Sequence, residues 1–74
     1  MMQPDDIKQM IERGLPGARV SVTGDGHHFE AEVVASEFAG KSTLQQHQIV
    51  YRTLGSKMGN EIHALSLRTR APGE

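Results

Sequence analysis

The sequence predicts a small α+β domain in the order helix, strand, strand, helix, strand, with its three strands in one small mixed sheet. Three observations lead there. Apolar residues recur at helical spacing near the start and again in the middle of the chain. Ala18 to Ala35 alternates apolar and polar residues across a glycine-rich turn, and a third extended run, Glu61 to Thr69, follows the second helical stretch. Seventy-four residues without a low-complexity tract or internal repeat leave room for one domain, residues 1–74, around one core.

Each element has a local reason. Asp5 is read as the N-cap of a short first helix in which Ile7, Met10 and Ile11 share a face, and Gly14 and Pro16 end it. Ala18, Val20 and Val22 then alternate with Arg19, Ser21 and Thr23, and Gly24-Asp25-Gly26 supplies a hairpin turn. The return strand starts at His28, with Phe29, Ala31, Val33 and Ala35 on the face expected to meet the helices.

After the connector Phe38-Ala39-Gly40-Lys41, Ser42 with Gln45 three residues on forms a capping-box pattern that opens the long helix. Along it Leu44, His47, Tyr51, Leu54 and Met58 recur at three- or four-residue steps and predict the buried stripe, with Val50 beside them. The last strand is expected over 61–69, and Ala71-Pro72-Gly73-Glu74 reads as a frayed tail. Because a parallel pair needs a crossover, the helix between the second and third strands makes the sheet mixed.

Composition narrows the chemistry. The chain has no cysteine, which removes disulfides, thiolate nucleophiles and every zinc site with Cys ligands, so any metal is held by nitrogen or oxygen. Phe29, Phe38 and Tyr51 are the only aromatics, and the core must rest on aliphatic residues. Residues 1–11 carry Asp5 and Asp6 and no long apolar run, so neither a signal peptide nor a membrane span is expected, and the cytoplasm is the expected location. The formal charge of -1 gives no global field to attract nucleic acid. It is unevenly spread: residues 1–37 hold three basic against seven acidic groups (-4), and residues 38–74 hold five against two (+3).

The four histidines are the natural transition-metal ligands present. His27 and His28 lie at the mouth of the hairpin and His63 at the start of the last strand, so two separate segments can converge at one end of the sheet. His47 falls within the apolar stripe of the long helix and is expected to be structural, packed and hydrogen-bonded to a backbone group. No catalytic residues are expected. There is no nucleophile elbow with a Ser-His-Asp order and no H-E-x-x-H, and Glu30 and Glu32 alternate along a solvent-facing strand. Gly24-Asp25-Gly26 and Gly40-Lys41-Ser42 both lack the glycine spacing of a nucleotide loop.

The segments His27-His28-Phe29, Phe38-Ala39-Gly40-Lys41-Ser42, Gln46-His47 and Ile62 to Thr69 resemble the BolA family in order and spacing, over nearly the whole chain. The F-x-G-K-S connector before a helix and the I-H-A-L strand together carry most of that resemblance. It implies a fold similar to a type II KH domain and a non-enzymatic adaptor that pairs with a monothiol glutaredoxin. In that family picture the two chains share a 2Fe-2S cluster, used in iron-sulfur cluster trafficking or iron sensing. The glutaredoxin cysteine and a bound glutathione supply the thiolates, and the BolA-like chain supplies the histidine of its last strand, here His63, and one from its hairpin, here His27 or His28. Imidazole in place of thiolate raises the reduction potential of such a centre, as in Rieske proteins. Gln46 stands where a basic residue commonly precedes the helix histidine.

The rival reading is a nucleic-acid-binding transcriptional regulator. In its favour stand Lys41, Arg52, Lys57, Arg68 and Arg70; against it stand the charge, the single connector glycine Gly40 in place of a G-x-x-G clamp, and the lack of an aromatic platform. A homodimer is a further possible resting form. On the main reading Lys41, Arg52, Lys57 and Arg68 face an acidic or glutathione-bearing partner surface.

Overall fold

The computed structural model describes residues 1–74 and gives α1 (Pro4–Gly14), β1 (Arg19–Gly24), β2 (His28–Val34), α2 (Thr43–Leu54) and β3 (Ala64–Arg70), with 3-10 turns at Ser36–Phe38 and Gly55–Lys57. The α+β class and the element order are as the sequence predicts. β1 and β2 pair antiparallel and β2 and β3 parallel, in the order β1-β2-β3.

The N-cap of α1 is Gln3 and not Asp5. Pro4 takes the first helical position, where its missing N–H is no loss, and the Gln3 backbone N–H donates to the Asp6 carboxylate at 2.8 Å. Asp5 and Asp6 therefore lie inside the first turn, on the positive end of the helix dipole. At the other end α1 comes close to α2: a Cβ at Gly14 would sit 2.5 Å from the Thr53 methyl, so only glycine permits this approach.

One face of the sheet carries Val20, Val22, Phe29, Ala31, Val33, Leu65 and Leu67, and both helices cover it. Ile7, Ile11 and Leu15 from α1 and Val50 and Leu54 from α2 complete the core with Phe38 and Ile62. The opposite face shows Ser21, Thr23, Glu30, Glu32, Ser66 and Arg68 to solvent. Apart from Val34, which is buried on the open face, this is the alternation of a sheet packed on one side.

The second helix starts as read from sequence: Ser42 Oγ accepts from the Gln45 N–H at 3.2 Å, and the Ser42 N–H donates to Gln45 Oε1 at 2.9 Å. Its buried face differs from the expected one. Gln46, Val50 and Leu54 are buried, whereas Leu44 is 67% exposed, Tyr51 is 37% exposed and His47 is half-buried. At 100° per residue the Leu44–Tyr51 line is turned roughly 100° from the buried line, and the two meet at Leu54. The helix ends at Leu54, before Met58 can extend the expected stripe.

Gln46 is buried because the surrounding backbone satisfies it. Its amide nitrogen donates to the Phe38 and Lys41 carbonyls at 3.2 and 3.0 Å, and its Oε1 accepts from the Thr69 hydroxyl at 2.7 Å. One side chain thereby ties the connector, α2 and β3 together. The backbone hydrogen bond expected of His47 belongs to its neighbour.

Two boundaries shift at the end of the chain. Residues 58–62 turn rather than extend: Gly59 has φ 84°, its N–H bonds the Ile62 carbonyl, and Lys57 pairs with Glu61 at 2.6 Å, so β3 begins at Ala64 and not at Glu61. Ala71, expected in a frayed tail, is a core residue, and the Ala35 N–H donates to the Arg70 carbonyl beside it. No helix is long and apolar enough to cross a membrane.

Candidate histidine site at the end of the sheet

The parallel register fixes which histidines can meet. His28 lies opposite Ala64 and Phe29 opposite Leu65, so one step back along both strands brings His27 beside His63. Their rings stack with centroids 6.4 Å apart and planes inclined by 27°. Both residues are exposed. Two imidazoles from segments 36 positions apart thus form one surface feature at the sheet end.

His28 goes elsewhere. Side chains alternate along β2, and His28 falls in the set with Glu30 and Glu32 on the open face, while Phe29 points into the core. His47, on α2, is not part of the pair. Of the four histidines the fold brings together His27 and His63.

The hairpin loop holds its two histidines by a residue that the sequence reading passed over. Asp25 Oδ1 accepts from the His27 N–H at 2.9 Å and the His28 N–H at 2.8 Å, while the Asp25 N–H donates to the His28 carbonyl at 3.2 Å. These bonds, that to His28 first, hold the Asp25 carboxyl below its ordinary value. Gly26 follows with φ 97°, a conformation that side chains resist. The Asp-Gly pair was visible as a turn signal, and the tendency of an Asx side chain to bond the backbone two residues on was the clue to its role.

Chemically, the pair offers two neutral nitrogen donors to a borderline metal and nothing more. No group of three or more His, Cys, Asp or Glu side chains is arranged to hold a metal ion. The carboxylates nearest in sequence are engaged elsewhere, Asp25 by the His27 and His28 backbone N–H groups and Glu61 by Lys57, while Glu30 and Glu32 sit along the open face with Ser66 and Arg68 across from them on β3.

The four basic residues expected to face a partner do not form one surface. Lys41 and Arg52 flank opposite ends of α2, about 15 Å apart by helical rise. Arg68 lies on the open face of the sheet opposite Glu32, and Lys57 is already paired with Glu61. A charge split along the sequence has become a scatter in space.

Together these features define a small α+β module whose helices cover one sheet face and whose exposed histidine pair stands at a strand end. The BolA-like protein family profile matches residues 9–74, and the chain belongs to that family. The solved structure of a BolA protein homologue from Coxiella burnetii is 53% identical and superimposes with a TM-score of 0.89 over 97% of this chain and 94% of that one. The acid stress protein IbaG of Escherichia coli is 34% identical over 74 residues, 99% of this chain and 88% of its own length. Human BolA-like protein 1 is 36% identical over 62 residues, 84% of this chain but 45% of its own length, so the chain spans about half of that relative.

Proposed function

We propose that this chain is a non-enzymatic cytoplasmic adaptor that binds a monothiol glutaredoxin and co-ligates a 2Fe-2S cluster with it, as cargo in iron-sulfur cluster trafficking or iron sensing. The observation that carries the reading is the exposed His27–His63 pair, 6.4 Å between ring centroids, in a chain without cysteine. Imidazole is an established substitute for thiolate on one iron of such a cluster, so the donor chemistry fits. The fit is to part of a cluster, because two neutral nitrogens leave it short of ligands and of negative charge. The missing thiolates would come from the glutaredoxin cysteine and a bound glutathione. Asp25 would keep the loop histidine facing the last strand, and His27 is the hairpin donor on this reading, because His28 shares the open face with Glu30 and Glu32.

The test is reconstitution with iron, sulfide and glutathione, followed by visible absorption. The chain alone should stay colourless and the mixture with a monothiol glutaredoxin should develop a cluster spectrum distinct from that of the glutaredoxin alone. A stable coloured product formed by this chain without a partner would count against a shared cluster. So would a mixture whose spectrum is the plain sum of its parts.

A further inference from the structure

The end of the sheet away from the histidines carries a second arrangement of charge. Arg19 on β1 and Arg70 on β3 both lie opposite Val34 on β2, which places the three side chains in one row on the open face. Cross-strand neighbours on an exposed sheet are stabilised by opposite charge and destabilised by like charge. Arg68, two residues along, follows that rule by facing Glu32. Arg19 and Arg70 are not direct neighbours: they flank a neutral valine from strands whose axes lie about 10 Å apart.

Neither guanidinium pairs with an acidic side chain, the one side-chain salt bridge being Lys57–Glu61. Between the two arginines Val34 lies on the open face and yet is 8% exposed, as expected where long arginine side chains lay their aliphatic stems along apolar surface. Between them lies a cavity of about 400 Å³, bounded by the two arginines, Val34, Ser36 and the turns at Gly17 and Gly73. Arg70 is held there by one hydrogen bond from Nη1 to the main-chain oxygen of Glu74 at 3.3 Å. The Ser36 hydroxyl, donating to Glu37 at 3.3 Å, is the one other polar side chain on the rim.

We infer that this row is a binding site for a phosphate monoester, gripped between the guanidinium groups of Arg19 and Arg70. Each arginine presents a planar fork of donors that matches two oxygens of a tetrahedral dianion, and two forks from opposite walls suit a phosphoryl group better than a carboxylate, which one fork saturates. The cavity exceeds a single oxyanion, so the group arrives attached to a small organic body that rests on the floor above Val34. The site is separate from the histidine pair and does not depend on it.

The experiment is an amide chemical-shift titration of the intact chain at low salt with inorganic phosphate, adenosine monophosphate and a short single-stranded oligonucleotide, with chloride as the ionic-strength control. Saturable shifts should appear for phosphate and more strongly for the monophosphate, confined to residues 17–19, 34–36 and 70–73. Arg19→Gln and Arg70→Gln should each weaken the monophosphate by about tenfold or more, Arg70→Lys should recover only part, and Arg68→Gln should change nothing of that size. Spectra of the unliganded variants report whether the fold survives, and Gln keeps much of the stem over Val34. Shifts that chloride reproduces, or binding of the oligonucleotide with none of the monophosphate, would overturn the assignment.

Discussion

Two groups of polar side chains in this molecule meet opposite treatment. Around Gln46, inside the fold, each polar atom has a partner, and the amide joins the connector, α2 and β3. At the sheet end His27 and His63 stack against each other in the open, with only the backbone of the loop restrained, by Asp25. The first arrangement uses its hydrogen-bonding capacity within the fold; the second leaves its ring nitrogens without a hydrogen-bond partner inside the molecule. Neighbouring residues in sequence show the same division, since Gln46 is structural and His47 beside it is half-buried at the edge of the core.

The contrast predicts a ranking of effects. Gln46→Ala should be the most damaging, by about 2–4 kcal/mol in urea denaturation, because it takes the side-chain partner from the Lys41 carbonyl and the Thr69 hydroxyl and leaves the Phe38 carbonyl with the Lys41 N–H alone. A loss no greater than that of His47→Ala would break the distinction between the two helix positions. Ser42→Ala should cost about 1 kcal/mol by removing the cap of α2, without touching the histidine end.

Asp25→Ala should act chiefly on the shape of the stability curve. Its folded pKa is lowered from 3.8 by the His28 and His27 backbone N–H groups, so the carboxylate stabilises the fold fully above that value and the contribution is lost as pH falls through the lower folded value. Glu61, lowered by Lys57, works in the same sense. The alanine variant should therefore lose stability less steeply below about pH 4 than the parent, with Asp25→Asn retaining the loop geometry by nuclear magnetic resonance. Identical acid limbs would remove the proposed role of Asp25. Smallest of all, His63→Ala and His27→Ala should each change stability by no more than about 0.5 kcal/mol, as exposed residues do.

Much of this was legible in the sequence, for physical reasons that differ from place to place. The strands and hairpin follow from alternation, and the start of α2 from Ser42 and Gln45, because these are local signals. Even the meeting of His27 and His63 was implicit: each stands two residues before an apolar alternation that begins at Phe29 and Leu65, and aligning those runs in parallel sets the histidines side by side. What was not legible depended on distant partners. The burial of Gln46 needs the carbonyls of residues 38 and 41 and a hydroxyl from residue 69, so hydropathy chose Leu44 and Tyr51 for the core instead. Ala71 is buried because the chain runs on beside Ala35, and the basic residues scatter because their elements face different ways.

On the proposed function His27 and His63, and not His28, hold the cluster shared with a glutaredoxin. This is tested most directly by reconstituting the mixed complex with His27→Ala, His28→Ala and His63→Ala chains and comparing the visible circular dichroism of the cluster and its rate of loss. The His27 and His63 variants should each alter the spectrum and shorten the cluster's lifetime, with His28→Ala matching the parent chain. A cluster unchanged by His27→Ala and His63→Ala, or perturbed by His28→Ala alone, would contradict the account.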